Sequence, residues 1–249
     1  MHFRSRKASL AALAALGSLL LTGCKNGSVY GYESDLSSVN EVSWHLWRGA
    51  WLAAAVVGIF TAALILWPVL RHRRKEGDPQ YPKQTQYNIP VEVAYTIIPF
   101  IIVAVLFYFT ARDEAKIIAK EPSKVMHTID VTGIQWSWQF GYQDGGPNAV
   151  VTGTPAQPPT LVLPQGERVA FKIHSNDVVH GFWIPAFMIQ IQNLPGVTNH
   201  IEFTANKIGE YPGRCNILCG RNHSQMVFKV KVVTPEEYKT YVETLKAGA

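Results

Sequence analysis

Cysteine is scarce in this chain, with three in 249 residues. Cys24 follows an apolar leader, so Cys215 and Cys219 remain as the thiols of the rest of the sequence and are dedicated to one place. No Cys-x-x-Cys-His run is present, which excludes a fused c-type heme domain. No internal repeat is visible either. Acidic residues are missing from residues 1–23, where Arg4, Arg6 and Lys7 supply most of the formal net charge of +5. Over residues 113–249 basic and acidic side chains balance, so the charge makes no electrostatic case for nucleic acid.

What the N-terminus does have is the pattern of an export signal. His2, Arg4, Arg6 and Lys7 precede an apolar stretch from Ala8 to Leu21, which ends in Leu21-Thr22-Gly23-Cys24. Small residues directly before a cysteine are the pattern of a bacterial lipoprotein signal, with Cys24 acylated at the mature N-terminus. An uncleaved anchor with an incidental cysteine is the competing reading. Two further apolar runs follow. Gly49 to Leu70 carries no charge and as a helix would span about 33 Å, enough for a bilayer core. Ile89 to Thr110 is interrupted by Glu92 alone. Arg71, Arg73, Arg74 and Lys75 lie between the runs, and the positive-inside rule puts that connection in the cytoplasm. The expected organisation is a signal at 1–23, an extracytoplasmic segment at 24–46, transmembrane helices at 47–70 and 89–111 around a cytoplasmic loop at 71–88, and an extracytoplasmic domain at 112–249 in a bacterial plasma membrane.

From about Glu114 the hydrophobic period changes to two. Val169, Phe171 and Ile173 alternate with polar residues, as do Ile201 with Phe203, and Phe228 with Val230 and Val232. Short strands between Pro and Gly turns predict an all-β sandwich or barrel. Thr234-Pro235-Glu236-Glu237 then opens a last helix, with Thr234 as N-cap and Glu237 in capping-box position.

The chemistry concentrates between residues 215 and 226. Cys215, Cys219, His223 and Met226 form a soft ligand set, and His180 offers a second imidazole upstream. Thiolate with thioether favours copper over hard cations, and the methionine argues against structural zinc. The count suggests two copper ions sharing two thiolates, each with one histidine and one weak axial ligand: Met226 for one, a loop carbonyl such as that of Ile217 for the other. Taken singly, the cysteine pair could be a disulfide, the methionine core and His180 a satisfied buried histidine. Together they read as a metal site for electron transfer, with no position left open for a substrate.

These residues resemble subunit 2 of the heme-copper oxidases, specifically of cytochrome c oxidase, over nearly everything after residue 40. The resemblance implies a two-helix transmembrane hairpin followed by a cupredoxin-like β-sandwich. It implies a dinuclear copper A centre held by His180, Cys215, the Ile217 carbonyl, Cys219, His223 and Met226. Gly133 to Tyr142 reads as one aromatic strand, whose tryptophans taken alone are more often packing. The resemblance makes Trp136 the point that accepts electrons from a c-type cytochrome. Glu92 is either a solvated interfacial side chain or functional. The motif around it, Pro90 to Pro99, implies the mouth of a proton-uptake pathway in subunit 1.

One departure stands out. The family usually has glutamate where this chain has Ile217, and that carboxylate reaches magnesium or manganese. The carbonyl persists here and the carboxylate does not, so magnesium is expected to be absent or not ligated through residue 217. The implied partners are the heme-bearing subunit 1 and other oxidase subunits, membrane lipid, and a c-type cytochrome, with a membrane-bound donor favoured by the neutral outer domain. The implied function is transfer of electrons to heme for oxygen reduction coupled to proton pumping. Asp177 has a weaker claim to orient the site. A copper-delivery protein and a quinol oxidase subunit 2 are the rival readings. The first needs only one anchor and neither Met226 nor His180. The second lacks the copper ligands.

Overall fold

Helix α1, Ser38–Arg71, starts where Ser37 caps it, the hydroxyl accepting the Asn40 N–H at 3.1 Å. Helix α2, Ile89–Ile117, starts behind Asn88, with Pro90 in its first turn where the missing N–H costs nothing. The computed structural model describes residues 31–81 and 84–248. The expected leader and Cys24 lie outside the described residues. Both helices are long and apolar enough to cross a membrane, and the apolar window of each is 0% buried within the chain. They overrun the segments drawn from hydropathy. Helix α1 begins before Trp47, and α2 continues through Asp113, which pairs with Arg112 and Lys116 at 2.8 and 3.1 Å. Hydropathy marks only the apolar part of a helix, whereas caps and ion pairs carry it on into polar surroundings.

For the same reason the β region starts later than the alternation near Glu114 suggests. Its first strand is β1, His127–Ile134, reached after a short 3₁₀ turn at Pro122–Lys124. There follow β2 Ser137–Tyr142, β3 Val150–Thr152, β4 Thr160–Pro164, β5 Arg168–Ser175, β6 His180–Ile184, β7 Ile189–Asn193, β8 Asn199–Thr204, β9 Gly209–Cys215 and β10 Val227–Val233. They form two five-stranded sheets, ordered β3-β2-β1-β5-β8 and β4-β10-β9-β6-β7. The pairs β1–β5 and β4–β10 are parallel and the remaining pairs antiparallel. This is the expected all-β sandwich behind two apolar helices.

The alternating residues do face inward. Val169, Phe171, Ile173, Ile201, Phe203, Phe228, Val230 and Val232 are all buried. Phe182 and Phe228 stack at 5.1 Å, and Phe171 stacks on Phe203 at 4.6 Å, so aromatic area supplies much of the core. Helix α3, Pro235–Ala247, closes one end through buried Tyr238 and Val242, and its capping box is the predicted Thr234–Glu237 pair.

From Asp35 onward helices and sandwich belong to one compact unit. Buried Asn40 accepts the Leu36 N–H at 3.0 Å and donates to the Ala186 carbonyl at 3.2 Å, while Thr204 N–H donates to Ser38 Oγ at 3.1 Å. After α2, the carboxylate of Glu202 receives the Glu121 N–H at 2.8 Å and Arg168 Nε at 3.2 Å. Both ends of the helical hairpin are therefore tied to the sandwich.

Candidate metal centre

Three neighbouring strands of the second sheet bring the donors together. His180 opens β6, Cys215 ends β9, and Met226 directly precedes β10. Because β6 pairs with β9, with Phe182 opposite Cys215, the histidine and the first cysteine share one end of the sandwich. The loop from 216 to 225 is closed at its base by the Cys215 N–H donating to the Met226 carbonyl at 2.9 Å. Within it, Met226 N–H donates to the His223 carbonyl at 3.2 Å, and the Trp138 indole reaches the Met226 carbonyl at 3.5 Å.

The sulfur atoms of Cys215 and Cys219 stand 3.8 Å apart as free thiols, well beyond the roughly 2.05 Å of a disulfide. Two bonds of about 2.3 Å span that gap, so a single ion can touch both sulfurs. Ligand atoms of His180, Cys215 and Cys219 lie within 4.8 Å of one another, and all three residues are buried. His223 falls outside that group but brings Nδ1 to 3.5 Å from Cys219 Sγ. Met226 Sδ is 3.7 Å from the same sulfur, and the Ile217 carbonyl is 3.2 Å from Cys215 Sγ. All the donors singled out in the sequence thus meet at one place.

His180 carries the strongest sign that a ligand belongs here. Its Nε2 pairs with Asp177 Oδ1 at 2.8 Å, which leaves Nδ1 buried with no hydrogen-bond partner. A buried polar atom without a partner is costly, and a metal ion is the partner this donor set fits. Burial works against charge on His180, yet neighbouring Cys215 and then Asp177 outweigh it and raise its pKa. Burial likewise opposes ionisation of Cys215, but His180 and the N–H of Gly181 prevail and bring it down to about 6. Cys219 moves the other way, to about 12, through burial and then the charge of Cys215. The two thiols therefore oppose each other's ionisation, and a cation beside them would favour the thiolate form.

Close packing depends on glycine. A Cβ on Gly133 would meet His180 Cδ2 at 2.7 Å, and one on Gly181 would collide with Asn216 Oδ1. Gly220, at φ +121°, holds a left-handed conformation that lets the loop lie against Trp136.

Trp136 departs from its expected setting. Gly133 to Tyr142 is not one strand: Gln135 and Trp136 form the turn between β1 and β2. The bend places Trp136 half-buried beside the loop, its indole N–H donating to the Cys219 carbonyl at 3.2 Å. Trp138, the next aromatic, is instead fully buried core. Glu92 lies in the first turn of α2 and accepts the Asn88 N–H at 2.9 Å, far along the chain from the thiols. Asp177 does more than close a turn. Besides His180 it accepts the N–H of Gln135 at 2.7 Å and of Val178 at 2.6 Å. Sequence reasoning missed Gln135, which carries no metal-ligand signature.

Residues 156–233 match the family model of the periplasmic domain of cytochrome c oxidase subunit II. A probable cytochrome c oxidase subunit 2 of Streptomyces avermitilis is 37% identical over 280 residues, covering 96% of this chain and 87% of that protein. The chain belongs to the cytochrome c oxidase subunit 2 family. Another member, cytochrome c oxidase subunit 2 of Mycobacterium tuberculosis, is 34% identical across 94% of this chain and 81% of its own length. Among solved structures, the periplasmic domain of subunit II of the Bradyrhizobium japonicum cytochrome oxidase is 31% identical, covers 50% of this chain and 96% of that domain, and has a TM-score of 0.44. As a family member the chain is a membrane protein and a subunit of cytochrome c oxidase, an oxidoreductase complex. Its buried His/Cys/Cys cluster is consistent with the copper A site of that domain. The delivery-protein and quinol oxidase readings are thereby set aside.

Proposed function

We propose that this chain is the electron-accepting subunit of its oxidase, taking electrons from a c-type cytochrome and delivering them towards heme in subunit 1, where oxygen reduction is coupled to proton pumping. The observation that carries this is the thiol pair at 3.8 Å with an unpartnered buried imidazole nitrogen beside it. His180, Cys215, Cys219, His223, Met226 and the Ile217 carbonyl are the ligand set for two copper ions. The donors support two ions because His180 groups with both thiols whereas His223 approaches Cys219 alone. Copper bound here would supply a one-electron redox couple.

The chain's own residues do the rest. Burial of His180, Cys215, Cys219 and Met226 keeps water from the donors. The hydrogen bonds closing the loop hold those donors in one geometry, so little has to move when charge changes. Trp136 accepts electrons, and its indole bond to the Cys219 carbonyl links a half-exposed ring directly to a ligand residue. Glu92 stands at the entrance of a proton pathway in subunit 1. Ile217 has no carboxylate, so magnesium is not ligated through its side chain. The positive cluster from Arg71 to Lys75 supports a cytoplasmic connection, with the copper domain outside a bacterial plasma membrane and Cys24 lipidated. The segments 24–46, 71–88 and 112–249 take the corresponding sides.

Copper analysis and electron paramagnetic resonance of the full chain in detergent test this reading. Two coppers per chain, with one unpaired electron shared equally between them, are expected. One copper, or copper that a chelator strips at once, overturns it in favour of metal delivery.

A further inference from the structure

Hydrogen bonds around the site close into a chain that runs through Gln135. Its backbone N–H donates to Asp177 Oδ2 at 2.7 Å, and the other oxygen of that carboxylate holds His180 Nε2 at 2.8 Å. Its side-chain Nε2 donates to the Cys219 carbonyl at 2.8 Å, the same oxygen that receives the Trp136 indole at 3.2 Å. Gln135 thus touches both sides of the site: the turn leading into His180, through Asp177, and the loop that bears Cys219, directly. Gly220 provides the room, since a Cβ there would stand 3.2 Å from the Gln135 amide nitrogen and 3.1 Å from the indole nitrogen.

We propose that Gln135 is a positioning residue for electron acceptance, its amide and the Trp136 indole sharing the Cys219 carbonyl so that the ring and the ligand loop keep one fixed relation. This rests on the assignment of Trp136 and the thiol pair made above. The chemistry explains the residue type. The acceptor is a carbonyl, so the position needs an N–H donor, and the reach from the turn to the loop needs two methylenes. Glutamate matches the shape but turns an oxygen towards an oxygen. Methionine matches the length and offers no donor. The indole bond alone is longer and leaves the loop carbonyl with one support where it now has two. Outer partners of metal ligands are worth about 10–100-fold in affinity or activity when removed.

The test compares Gln135→Met and Gln135→Glu with the parent chain in the assembled oxidase, using a reduced soluble cytochrome c as donor. Copper content is expected to stay at the parent level, because no ligand changes. The maximal rate of electron acceptance is expected to fall by about tenfold while KM stays within about twofold. In the copper-free full chain, backbone hydrogen exchange over residues 216–222 should accelerate in both variants, a readout that needs no metal. An unchanged maximal rate with unchanged exchange overturns the proposal. So does a raised KM at unchanged maximal rate, which would make Gln135 a donor contact. A parent chain without copper sinks the functional reading instead, and the exchange measurement then still decides for or against Gln135. Should one variant fail to fold, the other carries the comparison.

Discussion

The carboxylate of Asp177 holds His180 by Nε2 at 2.8 Å and leaves the buried Nδ1 without a hydrogen-bond partner, on a ring that has a nitrogen within 4.8 Å of both thiol sulfurs. One short ion pair thereby selects which imidazole nitrogen is available to a metal. Removing it frees the ring to rotate and to exchange tautomers. Asp177→Ala is expected to lower copper affinity by about 10–100-fold, and Asp177→Asn, which keeps an acceptor oxygen without the charge, by less. Competition with a copper chelator on the full chain measures both. Equal retention by Ala, Asn and the parent would show that packing alone orients the ring.

Gly133 makes the opposite kind of contribution, through what it lacks. It lies on β1 with the His180 ring where its Cβ would be, 2.7 Å from Cδ2. Gly133→Ala must displace the imidazole or bend the strand, at a cost of about 1–3 kcal/mol. Lower thermal stability together with weakened copper binding is the expected result, read by calorimetry and chelator competition. A variant that keeps copper fully while losing stability would place the strain in β1 and not at the ligand.

The grouping of the loop donors is legible in the sequence from their spacing. Cys215, Cys219, His223 and Met226 crowd one loop, and four soft donors within twelve residues leave few alternatives. The two-residue period likewise locates β5, β8 and β10. Gln135 and Gly133 are illegible for a physical reason: their partners, Cys219 and His180, are distant in sequence, and the contact exists only once two sheets pack. The aromatic period runs through Trp136 and so suggests a strand there. That period is set by Trp138, Phe140 and Tyr142, which are buried on β2, while Trp136 belongs to the preceding turn. Similarly, the start of α1 at Ser38 depends on Asn40 reaching Ala186, a contact that hydropathy cannot register.

Tyr142 anchors the end of the sandwich remote from the thiols. Its hydroxyl accepts the buried Val162 N–H at 2.8 Å, and its ring meets Tyr241 at 5.5 Å and Tyr238 at 6.2 Å. Tyr142→Phe strands that N–H and should cost about 1–3 kcal/mol in denaturant unfolding. Burial, more than any neighbour, raises the pKa of Tyr142, Tyr238 and Tyr241. The folded chain therefore keeps protons that the unfolded chain releases at about pH 10, so this contribution is intact below that pH and lost as pH rises beyond it. Spectroscopic titration should show these phenols ionising only as the domain unfolds. Early, reversible ionisation of all ten tyrosines would contradict the packing.

The balance of charge over residues 113–249 bears on how the donor arrives. A basic soluble cytochrome is steered to its acceptor by an acidic field, and such steering collapses as the Debye length contracts from about 30 Å at 0.01 M salt to about 8 Å at 0.15 M. The Asp177 carboxylate, which holds the backbone of Gln135 next to Trp136, is already engaged with His180, Gln135 and Val178. Val178, next in the chain, is exposed, and in the loop between Cys215 and Met226 so are Leu218, 80% accessible, and Arg221. A domain of balanced charge exerts little long-range pull on a basic protein, which suits a donor already held close by the membrane or by a larger assembly. Electron acceptance by the native complex should therefore stay within about twofold across that salt range, when followed by stopped-flow with the donor prereduced. A steep fall with added salt would require an acidic docking surface supplied by another subunit, and would count against a tethered donor.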